Sequence, residues 1–146
     1  MKRILAIVFV LQILISSACL AFEPPTDKRW FWVGSTDEIG CWVDTESMEY
    51  RISDMYPHDK HKQVDVWVLF YDSEKDTSSK LRTTYDLTCQ QYKTNSIIAY
   101  DKKGKVKNSY NTNYDDFQSI VPETWSEAIL EICKISWENS SRNQFK

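Results

Sequence analysis

Glycine is scarce in this chain: Gly34, Gly40 and Gly104 are the only three in 146 residues. Loops that cradle phosphate need several glycines close together, because backbone N–H groups must approach the anion without a Cβ in the way. Nucleotide-binding loops of that kind are therefore excluded. Histidine is nearly absent too, with only His58 and His61, and no Gly-x-Ser-x-Gly elbow or Cys-x-x-Cys-His haem attachment occurs. Basic residues do not exceed acidic ones, 18 against 21, so no cationic stripe is available to neutralise a nucleic-acid backbone. No repeat or low-complexity block divides the chain, and its length suits one domain.

The longest apolar run is near the start. Met1-Lys2-Arg3 precedes a stretch from Ile4 to Ile15 broken only by Gln12, and Ser16-Ser17-Ala18-Cys19-Leu20-Ala21 follows. A basic start, a short apolar core and small residues at the end are the pattern of a secretory signal peptide over 1–21. Twelve helical residues rise about 18 Å, short of a bilayer core of about 30 Å. Cleavage is expected before Phe22; cleavage before Cys19 is the alternative and would make Cys19 a lipidation residue, the one route to membrane attachment. The expected location is exported: periplasm, outer cell surface or secreted. An oxidising compartment favours disulfides.

What is abundant is aromatic: six Trp, eight Tyr and six Phe. After an extended leader at 22–29, whose Pro24 and Pro25 oppose helix, Trp30 to Val33 and Cys41 to Val43 read as strands joined by a loop. Asp44 to Ser47 reads as a turn, Met48 to Ile52 as a short strand, and Asp54 to Lys62 as a polar loop. Val64 to Tyr71 is apolar on both parities, as a central strand covered on both sides would be. Lys80 to Cys89 alternates, with Leu81, Tyr85, Leu87 and Cys89 on one parity. Ser96 to Tyr100 turns at Gly104 into a strand near Val106. Thr124 followed by Glu127 matches a capping box, so a helix is expected from Trp125 to about Trp137, with a polar tail over 138–146. The fold class is α+β: about six antiparallel strands with a C-terminal helix packed on one face.

Cys133 falls on the apolar stripe of that helix with Trp125, Ile129 and Ile132. A Cys89–Cys133 disulfide is therefore expected between sheet and helix, stabilising by about 4 kcal/mol through loop closure; two buried thiols are the alternative. Cys41 is expected to be a buried, inert thiol. For chemistry, His58 and His61 with Asp54 and Asp59 form the best metal or general-base group in the sequence, but convergent ligands are lacking and no metal or cofactor is expected. Asp115-Asp116 and Asp44/Glu46 are read as hydrated carboxylates, and Asn139-Ser140-Ser141 as a chance match to a glycosylation acceptor. Trp32, Trp67 and Trp125 are expected in the core. Tyr92, Tyr110 and Tyr114, in polar context, are the candidate ligand-binding residues.

The ordered set Trp30-x-Trp32-Val33, Val43-Asp44, Val66-Trp67, Tyr85-Asp86 leading to Cys89, Tyr100-Asp101 with Gly104, and Pro122 before a helix carrying Cys133 resembles the bacterial surface-adhesin protein E family. The resemblance runs over the domain at 30–137. It implies the same sheet-and-helix fold with the same cysteine pairing, an envelope location, binding to host matrix proteins, and a homodimer as an open possibility. The expected function is a non-enzymatic binding module with an extracellular or envelope protein partner and no nucleic acid. A periplasmic structural or assembly role without a host ligand is the alternative, and a small hydrolase using His58 and His61 is a third reading.

Overall fold

The structure is a computed structural model that describes residues 25–55, 59–112 and 116–144. The signal segment with Cys19, and also His58, Tyr114 and Asp115, lie outside the described residues. Strands β1 (Trp30–Ser35), β2 (Ile39–Met55), β3 (Asp59–Asp72), β4 (Thr77–Asp86), β5 (Gln91–Tyr100) and β6 (Val106–Asn111) form an antiparallel meander in chain order. A two-residue strand, β7 (Gln118–Ser119), pairs with the half of β5 that β6 leaves open. The helix α1 (Trp125–Gln144) closes the chain. The α+β expectation of a six-stranded antiparallel sheet with one C-terminal helix holds.

Short polar side chains close the hairpins that glycine usually closes. Thr36 Oγ1 accepts the Ile39 N–H at 3.1 Å, and Asp72 Oδ1 accepts that of Lys75 at 2.9 Å. Asp86 Oδ1 accepts from Thr88 and Cys89, and Asp101 Oδ1 from Lys103 and Lys105, all at 2.9 Å. These are Asx-type and hydroxyl turns. Two of the hairpins also force a non-glycine residue into the left-handed region, Asp76 at φ 50° and Gln90 at φ 55°, while Gly104 takes φ 71° in the turn expected for it. Accepting two N–H groups holds the Asp101 carboxyl below its ordinary value.

Two irregularities set which residues face the core. Between the pairs Asp44↔Trp67 and Glu49↔Asp65, β2 carries four residues where β3 carries one. Ser47 closes this bulge by donating to the Asp44 carbonyl at 2.8 Å and accepting the Trp67 N–H at 3.0 Å. The excess of three residues is odd, so the inward parity changes from Cys41 and Val43 to Met48 and Tyr50. The expected turn at Asp44 to Ser47 is thus a bulge inside one long strand. On β5 the bulge at Asn95 has the same effect, placing Tyr92 and Thr94 inward on one side of it and Ile97 on the other. The expected loop from Asp54 to Lys62 is largely paired, because β2 and β3 continue their ladder out to Met55↔Asp59.

The core lies between one sheet face and α1. Cys41, Val43, Val64, Val66, Val68 and Tyr85 from the sheet meet Ile129, Leu130 and Cys133 from the helix. Aromatic contacts pin the start of the helix and a point two-thirds along it: Trp125 against Phe70 at 5.5 Å and Trp137 against Tyr50 at 5.7 Å. At the helix start Glu127 accepts the Glu123 N–H at 2.8 Å, while the Thr124 hydroxyl donates back to the Val121 carbonyl. The box is therefore shifted by one residue from the expected Thr124/Glu127 exchange, and Glu123 takes φ 61° to permit it. The helix also continues through Gln144, over most of the segment read as a polar tail.

The expected staple is absent. Cys133 is fully buried on the inner stripe of α1, but Cys89 is exposed in the turn after β4, and the two are not joined. The strand ends at Asp86, whose carboxylate draws the next N–H groups into a turn. Alternation therefore stops before Cys89; Leu87 still packs on the core and Cys89 does not.

Candidate functional site

The opposite face of the sheet has no helix over it among the described residues. Cross-strand register sets Trp30, Asp44, Trp67 and Arg82 in one row, and Trp32, Trp42, Leu69, Lys80 and Ile98 in the next. Trp32 and Trp67, expected in the core, are on this face. Trp32 is 47% exposed and meets Trp42 edge to face at 4.7 Å. Trp125, also expected in the core, does pack against it.

These rows line two adjoining hollows that share Trp30, Lys80 and Tyr100. One, of about 340 Å³, runs over Arg29, Asp44, Trp67 and Ile98. The other, of about 300 Å³, runs over Pro25, Leu69 and Gly104. Lys80 Nζ lies 5.3 Å from the Trp30 ring centre and 5.7 Å from that of Tyr100, within cation–π range of both. No carboxylate among the described residues forms an ion pair with Lys80. Asp44, only 2% exposed, receives the Arg29 guanidinium on both oxygens, Nε to Oδ1 at 3.0 Å and Nη2 to Oδ2. That fork raises the guanidinium pKa still further. Arg29 and Asp44 thus neutralise each other, and the other charged groups lining the hollow are the Asp27 carboxylate and the Lys80 ammonium, the latter held between two rings.

Further along the same face the sheet becomes polar. Arg51 donates to Gln63 Oε1 at 2.9 Å and to Asp65 Oδ2 at 2.6 Å, Thr84 donates to Asp65, and Asn95 donates to Thr84 at 2.8 Å. This chain of bonds satisfies groups that would be costly to bury alone. Beyond it His61 Nδ1 meets Asp86 Oδ2 at 2.7 Å, and Cys89 Sγ lies 3.5 Å from the same nitrogen. A nucleophile relay needs its cysteine and carboxylate on opposite ring nitrogens, so this is not triad geometry. The three donor atoms do lie within 4.8 Å of one another, as ligands of one cation would.

The positions singled out from sequence fare unevenly. Tyr92 is on β5, stacked on Tyr85 at 6.0 Å and packed against the core rather than displayed. Tyr110 is 49% exposed on the edge strand β6. Of the weak candidate group His58, His61, Asp54 and Asp59, His58 lies outside the described residues, Asp54 is exposed, and His61 meets Asp86. Asp44 is bonded to Arg29 rather than hydrated, and Asn139 is on the exposed side of α1. Cys41 and Cys133 are buried, and desolvation pushes each thiol up to about 12. The burial expected of Cys41 is observed. Sequence reasoning missed the Lys80 hollow, although alternation of Lys80 with Leu81 already placed the lysine opposite the core. No family model, curated protein or solved structure matches the chain. No helix among the described residues is long and apolar enough to cross a membrane.

Proposed function

We propose that this chain is an exported, non-enzymatic binding module of a bacterial envelope, and that its open sheet face receives a segment of a protein partner. The observation that carries the reading is the hollow in which Lys80 stands between Trp30 and Tyr100, with no helix among the described residues covering it. Aromatic walls offer large apolar area at low conformational cost, and an unpaired ammonium selects an acidic group beside an apolar one. The leader-like start and the resemblance to surface-adhesin protein E domains favour an extracellular matrix protein as that partner.

The test is capture of the purified protein on immobilised matrix proteins, with Trp30→Ala and Lys80→Glu as variants. Binding should weaken by about 30-fold in Trp30→Ala, the equivalent of about 2 kcal/mol for a central aromatic anchor. Lys80→Glu should weaken it at low salt more than at high salt. No capture at micromolar concentration, together with protection from protease on intact cells, would instead support the periplasmic structural role.

A further inference from the structure

Sequence distance hides the second chemical feature of the molecule, since Cys89 and His61 are 28 residues apart. We propose that His61, Asp86 and Cys89 form a binding site for a zinc-like divalent cation, with water completing the coordination. The site is at the far end of the open face, six residues along β3 from Trp67, or about 20 Å, and is independent of the proposed partner surface.

The donor set is imidazole, carboxylate and thiol, the three side-chain types zinc takes. Tetrahedral zinc bonds of ordinary length would put sulfur and nitrogen about 3.6 Å apart, and nitrogen and oxygen about 3.3 Å apart. Cys89 Sγ and His61 Nδ1 are already 3.5 Å apart. Nδ1 and Asp86 Oδ2, at 2.7 Å, are closed by a hydrogen bond, and admitting the cation requires them to separate by about 0.6 Å. The exchange balances: the thiol releases its proton to solvent, the proton that Nδ1 shares with Asp86 also leaves to solvent while the neutral imidazole carries its one proton on Nε2, taken from solvent if it was not already there, and the cation takes Nδ1, Oδ2 and Sγ. Thiolate and carboxylate together match the two positive charges.

The supports around these atoms are in place without the cation. Asp86 Oδ1 is occupied by the Thr88 and Cys89 N–H groups, which aims Oδ2 at the site and fixes the cysteine backbone relative to the carboxylate. The turn is tied to the strand bearing His61 by Leu87 N–H to the Lys62 carbonyl at 2.8 Å and Lys62 N–H to Thr88 Oγ1 at 3.0 Å. His61 and Asp86 are buried while Cys89 is exposed, so solvent and the entering ion reach the site from the cysteine side.

Titration of the purified, reduced protein with Co²⁺ should give a thiolate-to-metal charge-transfer band and the intense d–d bands of tetrahedral cobalt. Cys89→Ser, which leaves the backbone bonds of the turn in place, should abolish the charge-transfer band and weaken Zn²⁺ binding at least about 100-fold in calorimetry. In the unsubstituted protein, saturating Zn²⁺ should slow alkylation of Cys89 and a chelator should restore it. Equal Zn²⁺ affinity in a folded Cys89→Ser protein, or alkylation of Cys89 unaffected by saturating Zn²⁺, would overturn the proposal; the second readout decides if the variant fails to fold.

Discussion

A Cβ on Gly40 would stand 2.5 Å from Trp42 Cη2 and 2.7 Å from Cζ3, and 3.3 Å from Trp32 Cζ3. The Trp42 ring is only 6% exposed and braced by Trp32, so it has little room to swing aside. Gly40→Ala is therefore expected to destabilise by about 1–3 kcal/mol, the usual cost of overpacking, read as a lower urea midpoint with altered tryptophan fluorescence. Gly34→Ala meets only the Trp125 side chain, and less closely, at 3.3 Å, and should cost less. A midpoint unchanged in Gly40→Ala would mean that the Trp32–Trp42 pair is looser than its geometry. At this scale the scarcity of glycine has a plain reading: two of the three serve close approach to tryptophan rings, and turn-making falls to Thr36, Asp72, Asp86 and Asp101.

The helix is held to the sheet by apolar packing and by a hydrogen bond between the Tyr50 and Ser136 hydroxyls, without a covalent tie, since Cys133 is not joined to Cys89. Two measurements on the same unfolding curve follow. Reductant should leave the stability unchanged, whereas Ile129→Ala, which empties a fully buried site, should cost about 2–5 kcal/mol. A marked fall in the melting temperature with reductant would restore a covalent staple. The strands were legible where alternation or uniform apolarity was unbroken, as in Val64 to Tyr71 and in Leu81 to Leu87. What sequence could not reveal was where alternation stops. Asp86 ends β4 by capping a turn with its own carboxylate, so counting parity on to Cys89 sent that residue into the core. The same register effect hid the His61 cluster: Gln63 pairs with Asp86 across β3 and β4, and nothing local to either residue indicates it. Helix boundaries were legible at the start, through Pro122, Thr124 and Glu127, but not at the end, where α1 continues through the polar residues Glu138 to Gln144 without an apolar stripe to mark it.

Across the whole molecule, the one-sided core concentrates neutral titratable groups beneath the helix, and this fixes how stability varies with pH. Cys41 and Cys133 ionise near 9.0 when hydrated, but burial pushes both up to about 12, and Tyr85 is raised above its ordinary 10.0 chiefly by the same desolvation. Below about pH 9 these groups are protonated in both folded and unfolded chains and exert no pH-dependent pull. Above it the unfolded chain loses protons that the folded chain keeps, so the unfolded state binds fewer protons and stability falls as pH rises toward 12. The urea midpoint should accordingly be insensitive to these groups up to about pH 9 and then decline, first through the thiols and then also through Tyr85. A Cys41→Ala/Cys133→Ala variant should begin its decline later and more gently, because only the tyrosine remains. If the midpoint of the unsubstituted protein stayed level through about pH 11, the thiols would have to be reached by water, and α1 would not cover this face as closely as its contacts with Val43, Val66 and Tyr85 require.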